Sequence, residues 1–233
     1  MNKISLFTAA FVFATALTLS CFDSDEDDGI PNNIAGGGAS SSSEEASSSS
    51  TGAIYGESVD YGGEIYQTVV IGTQTWFSRN LNYDTEGSRC DRDDPANCDI
   101  YGRLYDWETA MAICPSGWHL PSKDEWMELI RFVEDDVGDE HDAYNPYYSN
   151  AAGMYLTVHE YVGFSDKYGF SATLLGGHFI EGRFGSGLAI WWSASEENDN
   201  NADCWAMPVK AVMSFEGGCD KSNFLVSVRC LKD

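Results

Sequence analysis

Residues 114–126 read CPSGWHLPSKDEW. A cysteine, a histidine, two acids, a lysine and two tryptophans crowd into this stretch, and two readings compete for it. Read as chemistry, Cys114 and His119 are a nucleophile with its base or half of a metal site, and Asp124 and Glu125 are acid/base groups. Read as architecture, Ser122 with Glu125 three residues later is a capping box, in which each side chain satisfies the other's free backbone N–H at a helix start. The residues that follow favour architecture. Trp126, Leu129, Ile130 and Val133 fall on one helical stripe. Pro121, just before the cap, is placed to staple against Trp126.

Working outward, GRLYDWETAMAIC (102–114) sets Leu104, Trp107, Ala110 and Met111 at helical spacing, with Cys114 near the helix end. Upstream, GEIYQTVVIGTQTWFSRNL (63–81) reads as two β-branched runs joined by a glycine-first turn at Gly72-Thr73. Alternation there puts Ile65, Gln67 and Val69 on one face, and Tyr66, Thr68 and Val70 on the other. Beyond residue 138 the helical signals fade into glycine- and aromatic-rich segments, read as long loops pinned by buried rings. The alternating run NFLVSVRCLKD (223–233) closes the chain as a strand. The class is α+β: two helices with small antiparallel sheets and long loops.

The N-terminal part is of another kind. Lys3 and the apolar run ISLFTAAFVFATALTL make residues 1–20 a signal peptide, too short to hold a membrane span. Cys21 ends TLSC, which resembles a bacterial lipobox although Thr18 stands where the pattern has Leu, so Cys21 is read as the lipidation site. Ordinary signal-peptidase cleavage is the alternative. Residues 21–57 carry seven acids before residue 46, then a Gly/Ser tract with few core-forming residues, and form a disordered tether. The globular domain spans 58–233. Thirteen basic residues against 37 acidic ones leave no positive surface for nucleic acid, and the membrane is reached only through the lipid.

With Cys21 set aside, cysteines 90, 98, 114, 204, 219 and 230 remain. An even count in an exported chain is a disulfide framework whose pairing arithmetic leaves open. Cys90 and Cys98, eight apart, look like a locally stapled loop. No pair has the CxxC spacing of a zinc or redox site.

Six stretches, IGTQTWFSRNL, YGRLYDW, CPSGWHLPSKDEW, GFSATLLGG, WWSASE and VSVRC, resemble in order and spacing the Fibrobacter succinogenes major paralogous domain family over about residues 60–233. That resemblance implies a C-type-lectin-like fold, in a superfamily shared with formylglycine-generating enzymes, whose RLPTEAEWE segment is similar to HLPSKDEW. It also implies the bridges: Cys114 with Cys230, Cys204 with Cys219, and by remainder Cys90 with Cys98. The long bridge would stabilise the domain by about 4–5 kcal/mol in the chain-entropy account.

Three functions follow from these readings. The first is a non-catalytic adhesion or carbohydrate-binding domain on a lipid-anchored protein at the outer-membrane surface, or secreted. Trp191, Trp192, Trp205 and Tyr101 would stack on a plant-cell-wall polysaccharide or another glycan. No cofactor is expected; the alternative is calcium held by Glu196, Glu197, Asp199 and Asp203, although the EPN or QPD triplet of sugar-binding lectin-like domains is absent. The second is a structural or protein-interaction component of the envelope. The third is a formylglycine-generating-like enzyme, which needs a free cysteine pair. No GxSxG, HExxH or phosphate-loop motif points to catalysis, and His119, His141, His159 and His178 are isolated.

Overall fold

The computed structural model describes residues 52–139, 148–158, 165–173, 178–180, 182–185, 187–208 and 213–233. The segments read above as a signal peptide and, up to residue 51, a tether, with Cys21, lie outside them, as do His141 and His159. The described chain opens with five short strands: β1 (Ile54–Tyr55), β2 (Val59–Tyr61), β3 (Glu64–Tyr66), β4 (Thr68–Ile71) and β5 (Gln74–Phe77). The expected hairpin is β4–β5, with Ile71 opposite Gln74. Gly72 takes φ +62° in its turn, and a Cβ there would strike the Phe132 ring, so both backbone and packing require glycine. The alternation expected across residues 65–70 breaks at Gln67. Tyr66 ends a strand of the two-stranded β2–β3 sheet, whereas Thr68 and Val69, both buried, begin a strand of another sheet.

Next come α1 (Pro95–Tyr101), β6 (Leu104–Tyr105), α2 (Trp107–Ala112), β7 (Trp118–His119) and α3 (Lys123–Val137). The helix expected through Leu104 is shorter than its periodicity suggests. Asp106 accepts from the Thr109 N–H at 2.8 Å and so starts α2 after Leu104 and Tyr105, which pair with a late strand instead. Met111 consequently faces solvent. The capping box of α3 is present: the Glu125 N–H donates to Ser122 Oγ at 3.3 Å, and the Ser122 N–H donates to Glu125 Oε2 at 2.7 Å. Gly138, at φ 72°, closes α3, and Trp126, Leu129, Ile130 and Val133 are buried together.

The remainder is more regular than the sequence suggests. β8 (Tyr148–Ser149) and α4 (Asn150–Tyr155) precede β9 (His178–Ile180), β10 (Arg183–Gly185), β11 (Leu188–Glu196), β12 (Asn201–Pro208), β13 (Met213–Asp220), β14 (Phe224–Ser227) and β15 (Leu231–Lys232). Where long loops are expected, β11, β12 and β13 form the centre of a sheet ordered β10-β9-β14-β11-β12-β13-β8, with β6 also on β14. In β11 and β12, burial on both faces erases the polar alternation that would have announced a strand. The β11–β14 pairing is parallel, so this sheet is mixed rather than purely antiparallel. The closing strand expected over 223–233 is two strands. Between them Val228–Cys230 carry the chain into the other sheet, ordered β1-β4-β5-β15-β7.

The large sheet separates two cores, and neighbouring residues on one strand serve different ones. Trp191, Trp205, Met207 and Met213 pack with Trp126, Leu129 and Ile130. Ile190, Trp192, Cys204 and Ala206 pack with Tyr66, Phe77, Leu81, Tyr105 and Val226. Three disulfides, Cys90–Cys98, Cys114–Cys230 and Cys204–Cys219, staple this mixed helix-and-sheet domain in the pairing the resemblance implies.

Candidate functional site

The tryptophans expected to stack on a ligand do not reach the surface. Trp191, Trp192 and Trp205 are each 0% exposed. The physical reason is the strand period: Trp191 and Trp192 point to opposite faces of β11, and both faces are covered. Their N–H groups are spent inside, Trp191 Nε1 donating to Asn80 Oδ1 at 2.8 Å and Trp192 Nε1 to the Tyr105 carbonyl at 2.8 Å. Tyr101 is half-buried, and its carbonyl accepts from Asn80 Nδ2 at 2.9 Å.

Those contacts belong to a buried node that the sequence reading passed over. Arg229, 0% exposed, donates from Nε and Nη2 to Asn80 Oδ1 at 3.1 and 2.7 Å. Its Nη1 donates to the Phe77 carbonyl at 3.1 Å and to the Phe170 carbonyl, and its guanidinium lies 4.2 Å from the centre of the Phe170 ring. Burial pulls its pKa down to about 9, with Asp166 opposing, which still leaves it charged at neutral pH. Asn80 Nδ2 also donates to Ser227 Oγ at 3.2 Å. Gly102, at φ +79°, lets the chain after α1 close on this amide, since a Cβ there would lie 2.8 Å from Asn80 Cβ. Asn80, Tyr101, Phe170, Trp191 and Arg229 come from five of the six signature stretches. Trp126 of the sixth packs on Phe170 and Trp191, with ring centroids 6.1 and 5.9 Å away. The signature encodes one internal node. The cue in the sequence was a lone arginine inside an apolar closing run.

The acids proposed for calcium are likewise drawn elsewhere. Among the described residues no three His, Cys, Asp or Glu side chains are grouped to hold a metal. Glu196 Oε2 accepts from Lys221 Nζ at 2.5 Å. Asp199 contributes its carbonyl to the same ammonium at 3.3 Å. Asp203 is buried in β12, where burial holds its carboxyl above the usual range despite Lys123, with Glu197 adding to the rise. Glu196 therefore faces Lys221, whereas Asp203 lies buried in β12 within reach of Glu197 and Lys123.

His119 is not isolated. Its Nδ1 lies 2.8 Å from Asp233 Oδ1 and its Nε2 lies 2.9 Å from Glu125 Oε1. Ionised carboxylates only accept, so it is the protonated ring that donates in both contacts. Burial opposes that charge, but the two carboxylates outweigh it and raise the pKa above the ordinary histidine value. Glu125 also accepts from Ser122 Oγ at 2.8 Å. Burial pushes its carboxyl up, yet the Ser122 donors and His119 hold it below the usual range. A histidine with both nitrogens engaged has none free to take a proton from a nucleophile. The contact ties the residue after β15 to the first turn of α3.

Among the described residues, two adjoining hollows open to the surface between this helix and the β4–β5 hairpin. One of about 700 Å³ lies between the Gly72-Thr73 turn and α3, with Asp124, Glu128, Arg131 and the half-buried Phe132 along it. The other, of about 290 Å³, shares Thr73, Gln74 and Glu128 with it and continues the groove past Glu125 to Lys232 and Asp233. Elsewhere an apolar hollow of about 420 Å³ opens over Leu188, Ile190, Ala206, Phe224 and the Cys204–Cys219 bridge. Nothing in the periodicity of α3 marked the groove, because its lining comes from the helix face that the stripe leaves in solvent.

Residues 69–232 match the family model described as the Fibrobacter succinogenes major domain. No curated protein and no solved structure matches the chain.

Proposed function

Because the chain belongs to the Fibrobacter succinogenes major domain family, we propose that its head is a non-catalytic binding domain, displayed on the cell surface by a lipid on Cys21 and taking a glycan in the groove beside α3. The groove carries this reading. Hydroxyl, carboxylate and guanidinium groups of Thr73, Asp124, Glu128 and Arg131 surround the Phe132 ring, a mixture suited to sugar hydroxyls and the apolar face of a pyranose. A plant-cell-wall polysaccharide is the ligand class proposed, and the adhesion role follows from display on a tether. The C-type-lectin-like fold is part of the same proposal. It is supported by the long bridge from the end of α2 to the segment before β15, and by the second bridge across β12 and β13. The non-catalytic reading is supported by cysteine usage, since all six cysteines of the head are in disulfides and a formylglycine-generating-like reaction needs free thiols. Among the described residues no helix is long and apolar enough to cross a membrane.

Retention of the folded head on cellulose, on xylan and on a glycan array, with calcium and with chelator, tests the proposal. Retention that is weakened at least tenfold by the paired change Asp124→Ala and Arg131→Ala is the expected result. Failure of every glycan to retain the head sinks the carbohydrate reading and leaves a protein partner in the envelope as the ligand to seek. Retention that ignores the double change moves the site away from α3.

A further inference from the structure

The segment Glu196–Asn201, between β11 and β12, turns several oxygens toward one point. Glu196 presents its carboxylate, and the carbonyls of Asn198 and Asp199 face the same way. The tight turn is fixed by Asn198, whose Oδ1 accepts from the N–H groups of Asn200 and Asn201 at 2.9 and 3.0 Å. Converging oxygens repel one another unless a cation lies between them. Here the cation is the chain's own.

Lys221 enters from the turn after β13, its backbone N–H donating to the Asn200 carbonyl at 3.0 Å. Asp220 holds that turn by accepting from the Ser222 and Asn223 N–H groups at 2.9 and 3.0 Å. The Lys221 ammonium then meets Glu196 Oε2 at 2.5 Å, the Asn198 carbonyl at 3.0 Å and the Asp199 carbonyl at 3.3 Å. An ammonium has three N–H donors, and three oxygens receive them. The ring of Trp107 lies 4.2 Å from Nζ, and Trp107 is itself anchored by donating from Nε1 to the Ser193 carbonyl at 2.9 Å. The Lys221 side chain is only 10% exposed.

We propose that Lys221 is the structural cation of the Glu196–Asn201 loop, filling the position a divalent metal would otherwise take, so that this end of the domain is ordered without calcium. Calcium takes six to eight oxygens, as a rule, at about 2.3–2.6 Å, and this loop offers three around a point already occupied. Any ligand contact made through the loop is therefore independent of calcium. The inference does not depend on the groove beside α3 or on a glycan being the ligand.

Amide hydrogen exchange on the folded head decides it. In the native protein, exchange at residues 197–201 is the same with millimolar calcium chloride as with chelator. Lys221→Met leaves three oxygens without a cation, and exchange there rises about tenfold while the amides of Trp191 and Trp205 keep native protection. Lys221→Arg retains the charge and stays closer to native exchange than the methionine variant does. Slowing of the native loop by calcium overturns the proposal, as does native exchange in Lys221→Met. Should Lys221→Met unfold the head as a whole, the native calcium comparison and Lys221→Arg still carry the decision: arginine exchange as fast as in an unfolded chain, or a calcium effect on the native loop, overturns it.

Discussion

Arg229 and Lys221 solve one chemical problem at two depths. Each is a cation 4.2 Å from an aromatic ring and each meets backbone carbonyls, but Arg229 is sealed in the interior while Lys221 sits beneath a surface loop. Arg229 joins the carbonyls of Phe77, the last residue of β5, and of Phe170, ahead of β9, to the Asn80 amide, so it ties together segments far apart in sequence. Lys221 ties one turn to another. Depth decides how much the same contacts matter, because an interior oxygen that loses its donor has no water to replace it. The comparison thus separates a residue that holds the domain together from one that shapes a single end of it.

Four substitutions probe that contrast. Arg229→Met is expected to cost the most, about 3–5 kcal/mol, since it strips donors from Asn80 and from two buried carbonyls; denaturant unfolding of the purified head measures it. Removing only the inner ring, Phe170→Leu, takes away a desolvated cation–π contact and some packing, and is expected to cost about 2 kcal/mol in the same assay. Lys221→Met is expected to cost about 1 kcal/mol, because water reaches the oxygens it leaves behind. Equal losses for Arg229→Met and Lys221→Met would break the comparison. The fourth is a matter of pH. The folded pKa of His119 is raised, so its stabilisation is fully present below the ordinary histidine value near 6.5 and is lost as pH rises through the folded value. Melting temperatures from mildly acid to mildly alkaline pH should fall across that window in the native head and stay flatter in His119→Gln; parallel profiles would remove His119 from the account.

What the sequence revealed followed from the range of each interaction. The α3 capping box and the β4–β5 turn are local, their partners lie within four residues, and both were legible. The start of α2 was misjudged because Leu104 and Tyr105 answer to β14, more than a hundred residues away. The strands β11 and β12 are hidden in the sequence because strands covered on both faces have no polar side to alternate with. The tryptophans looked like ligand platforms for the same reason, since WW reads alike whether one ring or both are buried. The acidic loop looked like a metal site because its lysine lies some twenty positions downstream, and nothing near the acids announces it.

The position of β15 bears on the order of events in biosynthesis. Leu231 and Lys232 form an interior strand of the five-stranded sheet, with Trp76 on one side and Trp118 and His119 on the other, and Cys230 just before them closes a bridge spanning 116 positions. Neither flank can be completed until residues 230–232 have been made. The two flanks, although made about a hundred residues or more before it, therefore meet only when β15 inserts between them. High sequence separation between partners slows such a closure, and oxidation of Cys114 with Cys230 then makes it hard to reverse.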